Sequence, residues 1–161
     1  MAYVAADLAS AQLDLLRVDV GLTYHCRPIT SAIATANAFD LPSLLALLGA
    51  IVAAGSQHFG DVIVATTGVG AHLTADTTAI PSAPTSAAGA NDCLRQLEGA
   101  FNSHVQKVGI HLSMGLPGSG IPSLPVASGG ADLTSMINAA NNVKTWFNAH
   151  IANRFASAAP T

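Results

Sequence analysis

Residues 132–151, DLTSMINAANNVKTWFNAHI, decide how this chain is read. Asp132 precedes an apolar series made of Leu133, Ile137, Ala140, Val143, Phe147 and Ile151. Steps of three and four residues place such a series on one stripe of a helix. Asp132 is suited to the N-cap, because its carboxylate accepts the open N–H groups of the first turn. The stretch therefore predicts a helix from Leu133 to about Asn153, with His150 near its end.

The same pattern, Asp-Leu-x-Ser followed after a helix-length interval by His, also runs from Asp7 to His25 and from Asp40 to His58. A degenerate copy runs from Ser86 to His104, and its Phe101-Asn102-Ser103-His104-Val105 matches Phe147-Asn148-Ala149-His150-Ile151. Internal repeats of this kind describe an architecture before they describe an activity. Three further helices are expected: about Ala6 to Val20, Leu41 to about Gln57, and about Ala87 to Val105. The second carries Leu41, Leu44, Leu45, Leu48, Ile51 and Val52 on its stripe, and the third carries Ala90, Leu94, Leu97, Phe101 and Val105. Pro42 falls in a first turn, where its missing N–H costs little.

The histidines fall into two classes. His58, His104 and His150 lie at helix C-termini, whereas His25, His72 and His111 precede polar or Pro-containing connectors. One unit is then connector His, linker, helix, terminal His. The units span about 25–58, 72–104 and 111–150, after a leading helix at 6–20 and before a tail at 156–161. The fold class expected is mainly α, with three to four repeated helical units in a small bundle forming a single domain over residues 1–161. Residues 115–131, GLPGSGIPSLPVASGGA, are expected to form an extended connector, as is the stretch from Ile80 to Gly89. Asp61 to Thr67 is rich in β-branched residues and reads as a short strand or hairpin arm.

Composition narrows the function classes. Half of the 161 residues are hydrophobic and 9% are charged, against about 25% charged in ordinary soluble domains. Such a surface favours burial against other chains, beginning with copies of itself. The six Lys and Arg residues are scattered and the net charge is −3, so the clustered positive charge that nucleic-acid binding requires is missing. The most apolar run, Leu41 to Gly55, is shorter than the roughly 20 residues of a spanning helix and reads as buried, and no cleaved secretory signal is legible near Met1. Cys26 and Cys93 are too few for a disulfide scaffold and read as small core residues, in a protein made in a reducing cytoplasm.

Chemistry is sparse. Gly118-Ser119-Gly120 lacks the strand-to-helix setting of a nucleophile elbow, Gly68-x-Gly70 lacks the rest of a phosphate loop, and Glu98 has no carboxylate partner for acid–base work. His104 and His111 invite a metal reading. Without Cys or Glu at ligand spacing, however, the histidines read as helix-terminal residues that favour the dipole and pack on neighbours. No catalytic residue, metal or cofactor is expected. Candidate interface residues are Trp146 and Phe147, Phe147 facing inward and Trp146 at an edge, together with Ile121, Leu124 and Val126 of the Pro/Gly-rich connector.

The pattern resembles repeat-containing structural proteins of tailed bacteriophages. The residues that carry the likeness are Asp132, Leu133, Ser135, Asn141, Lys144 and Phe147 to Ile151, with His72-Leu73-Thr74-Ala75-Asp76-Thr77-Thr78 and Thr23-Tyr24-His25. Gly55-Ser56-Gln57 departs from it, standing where Phe-Asn-Ala would precede His58. The resemblance implies a non-enzymatic virion protein, and composition, size and the resemblance together point to a capsid decoration or cement protein that binds itself and the major capsid protein. Alternatives are a neck, tail or baseplate component or, in another class, a His-based metal-binding protein or hydrolase.

Overall fold

The computed structural model describes residues 30–62, 72, 74–107 and 131–152. The expected helix at 6–20, His25, Cys26, His111, the candidate interface residues Ile121, Leu124 and Val126, and the tail lie outside the described residues. Among the described residues there are three helices: α1 (Leu41–Phe59), α2 (Ala87–Gln106) and α3 (Leu133–Ala152). The protein is mainly helical and forms a small bundle in which each helix contacts both others.

Each helix begins on a side-chain cap. Asp40 accepts the Ser43 N–H at 2.9 Å, and the Ser43 hydroxyl accepts the Asp40 N–H at 3.0 Å, a reciprocal capping box. Asp132 repeats the first contact with the Ser135 N–H at 3.0 Å and takes the Ser135 hydroxyl at 2.7 Å. Ser86 accepts the Gly89 N–H at 3.1 Å. The hydroxyl of Ser43 and then its N–H hold the Asp40 carboxyl below the usual range, and Ser135 does the same for Asp132.

The core is built from Leu44, Leu47, Leu48 and Ile51 of α1, Leu94, Leu97 and Phe101 of α2, and Ala139, Ala140, Val143 and Phe147 of α3, all of them fully buried. The stripe expected for α2 is buried throughout. In α1 the buried face turns toward Leu47, and Leu41, Leu45 and Val52 become its half-buried flanks. In α3 it turns toward Met136 and Trp146, leaving Leu133 exposed. Both rotations have one cause: a helix with two helical neighbours buries a wider arc than one apolar stripe covers. At 19 residues and a mean hydropathy of 1.3, α1 is long and apolar enough to cross a membrane by length and composition. The helix continues past the apolar run through Ser56, Gln57 and the buried His58, and its leucine face lies in the bundle.

The non-helical segments show how the helices are oriented. Ile33 meets Asn148, Thr35 and Asn37 meet Lys144, and Ala38 meets Asn141, so residues 33–38 run antiparallel along α3 toward the start of α1. Asp76 bonds Phe59 at the end of α1, Ile80 lies beside Gly55, and Ala83 lies beside Gly49. The chain thus returns along α1 before α2 begins. Ala131, just ahead of α3, bonds Asn91 in the first turns of α2. All three helices therefore point the same way, and their C-terminal ends meet at one end of the bundle.

Asparagine amides fasten the first return segment. Asn148 accepts the Ile33 N–H at 2.7 Å and donates to the Ile33 carbonyl at 3.2 Å, and Asn141 does the same for Ala38 at 2.8 and 3.1 Å. A carboxamide has one acceptor and two donors, so one side chain satisfies both polar groups of a backbone residue that has no strand partner. Asn148→Ala should cost about 1–2 kcal/mol and speed amide hydrogen exchange at Ile33 about tenfold or more. Unchanged exchange at Ile33 would show that the clamp does not hold the segment.

Two glycines predict opposite responses. A Cβ at Gly55 would lie 3.1 and 3.2 Å from the Phe101 ring, whereas one at Gly99 meets nothing within 4 Å. Gly55→Ala should therefore cost about 1–2 kcal/mol as the ring is displaced. Gly99→Ala, on an exposed helical site, should gain about 0.5–1 kcal/mol. Thermal denaturation of the two variants checks both signs.

Candidate metal centre

The converging helix ends bring the three terminal histidines together. His58, His104 and His150 are essentially fully buried, and His72, from the segment that follows α1, completes the group. His58 lies at the centre: its ring centroid is 4.5 Å from His72, 5.1 Å from His104 and 5.0 Å from His150. The Nε2 atoms of His58 and His150 approach to 3.0 Å, so one carries the proton and the other accepts it. One ring nitrogen each from His58, His72 and His104 lie within 4.8 Å of one another.

Aromatic rings enclose the group. Phe59 stacks on His104 at 4.3 Å, Trp146 stacks on His150 at 5.2 Å, and Phe147 meets His58 edge-on at 5.7 Å. His72 is held by its backbone: its N–H bonds the Asp61 carbonyl at 3.0 Å, part of a single parallel bridge between Val62 and His72. Of the expected strand from Asp61 to Thr67, only Asp61 and Val62 lie among the described residues. Burial, and after it the neighbouring His104, lowers the His72 imidazole to about 4. His72 is therefore neutral at pH 7, the form in which a ring nitrogen keeps a lone pair.

Behind His104 stands a carboxylate. Asp76 is buried, and its Oδ2 lies 2.8 Å from His104 Nδ1. Its Oδ1 accepts from Lys107 and, at 2.8 Å each, from the Thr78 N–H and hydroxyl. Burial alone would raise the Asp76 carboxyl, but the hydrogen bonds of Lys107, Thr78 and His104 outweigh it and hold the group well below the usual carboxylate range. An ionised carboxylate only accepts, so His104 carries a proton on Nδ1. That fixes the ring's orientation.

The sequence assigned His58, His104 and His150 to helix ends and His72 to a connector, and paired His104 with His111. The structure joins His104 to His58, His72 and His150, and His111 lies outside the described residues. The signal was present in the repeat, because a residue at the same level of three parallel helices must converge; what the pattern lacked was the common direction. Of the candidate interface residues, Phe147 is fully buried and Trp146 is 8% exposed, packed against Phe101 and His150 inside the chain. Among the described residues the exposed large aromatic is Phe39, at 78%. Cys93 is a buried free thiol, pushed up to about 11 by burial. A surface hollow lined by Pro81, Pro84, Ser86, Asp92 and Gln96 lies at the start of α2 and contains none of the histidines. Comparison with known proteins finds no matching family model, no similar curated protein and no similar solved structure.

Proposed function

We propose that this chain is a non-enzymatic structural protein of a tailed-phage particle, a capsid decoration or cement protein. On this reading it is built from three to four repeated helical units joined by extended Pro/Gly-rich connectors. The observation that carries the reading is where the repeat residues go. Asp40 and Asp132 cap helices, Asn141 and Asn148 clamp a return segment, and the terminal histidines meet in the core. Repeat positions devoted to holding segments together are what a building block requires. Complete burial of the His group also supports a structural role over turnover, since a substrate must reach a catalytic group.

Other features agree. The chain is poor in charge, Phe39 stands exposed beside the α1 cap, and the sequence resembles virion repeat proteins. Partners on this reading are further copies of the chain and the major capsid protein, in a symmetric assembly. Quantitative mass spectrometry of purified particles from the source, with a cryo-electron microscopy map, tests it. Copies by the hundred on head lattice sites are expected. A count matching one or a few rings would move the protein to the neck or tail, and absence from particles would overturn the proposal.

A further inference from the structure

The His group stands at an unusual electrostatic position. Three helices direct their C-terminal ends at it, and each helix end carries roughly half a negative charge. Space at the end of a bundle is filled at less cost by leucine or phenylalanine, because burying an imidazole means desolvating two polar nitrogens. Here four imidazoles, from three helices and one connector, are gathered inside an aromatic shell.

We infer that His58, His72, His104 and His150 form a buried binding site for a divalent transition-metal cation of the zinc class, which ties the three helix ends to the connector that carries His72. The site goes beyond the virion reading and stands or falls independently of it. Three of the donors already have a nitrogen within 4.8 Å of one another, and His150 Nε2 lies 3.0 Å from His58 Nε2. Tetrahedral zinc with bonds of about 2.0–2.1 Å sets its ligands roughly 3.3 Å apart. Ring shifts on the order of an ångström bring His58, His72 and His104 to ligand distance, and His150, outside that trio, adds the fourth nitrogen by turning from its hydrogen bond with His58.

The surroundings supply what such a site needs. Asp76 accepts the His104 Nδ1 proton, the carboxylate–histidine pairing that orients a metal-bound ring and raises its basicity. Phe59, Phe147 and Trp146 keep the region apolar, and the helix carbonyl ends favour positive charge within it. Imidazole donors suit zinc, copper, nickel or cobalt, whereas magnesium and calcium require oxygen ligands. With all four positions taken by protein, the cation has no open position for a substrate, so the site is structural.

The test uses the full-length chain, stripped with a chelator and titrated with Zn²⁺ while metal content and thermal unfolding are followed. The expected result is about one zinc per chain, a raised Tm, no response to Mg²⁺, and visible absorption typical of tetrahedral nitrogen ligation when Co²⁺ replaces zinc. His72 lies on a non-helical segment, so His72→Gln should keep the helical circular dichroism while losing affinity by about 100-fold or more; Asp76→Asn, which weakens the orienting carboxylate and leaves all four imidazoles in place, should lose about 10–100-fold. Zinc below about 0.1 per chain with no shift in Tm would overturn the inference. So would wild-type affinity in a folded His72→Gln protein. If that variant does not fold, the titration of the stripped wild-type chain decides alone.

Discussion

Replacing Phe101 by alanine should remove about 3–5 kcal/mol of stability, the usual cost of deleting a fully buried aromatic ring. The ring, on α2, is 0% exposed, and its aromatic neighbours come from both other helices: Phe59 of α1 at 5.7 Å, and Trp146 and Phe147 of α3 at 5.4 and 5.5 Å. It also fills the space above Gly55, where an added Cβ would press on the ring at 3.1 and 3.2 Å. Collapse around the deleted ring would require α1, α2 and α3 to move together, so little of the cavity can close. Against a total stability of about 5–15 kcal/mol for an ordinary domain, the variant should sit near its unfolding threshold. Urea denaturation followed by helical circular dichroism measures the loss. A change below about 1 kcal/mol would mean that the three helices do not share this ring.

Asp76→Ala should cost about 3 kcal/mol, because it removes one member of a buried charged network and leaves its partners in place. His104 Nδ1–H would lose its acceptor in the dry interior, the Thr78 turn would lose both of its bonds, and only Lys107, 37% exposed, can turn to water. Asp76→Asn keeps one acceptor oxygen and should recover part of the loss. The pH dependence has a definite sign. Asp76 is depressed in the folded state, so its contribution is complete above the ordinary carboxylate value of 3.8 and is lost as the pH falls below it. His72 acts at higher pH: it is lowered from 6.5 to about 4 on folding, so the unfolded chain takes up the proton first and metal-free stability declines across that interval. Denaturation midpoints from pH 7 to pH 3 should therefore fall in two stages, and Asp76→Asn should flatten the second.

The three described helices were legible because periodicity and caps are local properties. Asp40, Ser86 and Asp132 each stand one residue before the first helical residue, and the Ala90 to Val105 stripe is the buried face of α2. Burial of Leu47 was not legible, since a stripe fitted to one partner cannot anticipate the second helix that reaches this side of α1. Asn141, Lys144 and Asn148 stood out as repeat residues without a role. Their role depends on a segment more than a hundred residues earlier in the chain, brought alongside α3 by the fold. The His group was hidden for the same reason: residues 58, 72, 104 and 150 follow no local ligand spacing, and only parallel helices joined by return segments place them at one level.

Nuclear magnetic resonance of the ¹⁵N-labelled, chelator-treated chain reads out the convergence of the repeated histidines. Cross-relaxation is expected between the His58 ring and those of His72, His104 and His150, with the His104 ring protonated on Nδ1. Four rings without mutual contacts, with His72 titrating near the ordinary value of about 6.5, would contradict it.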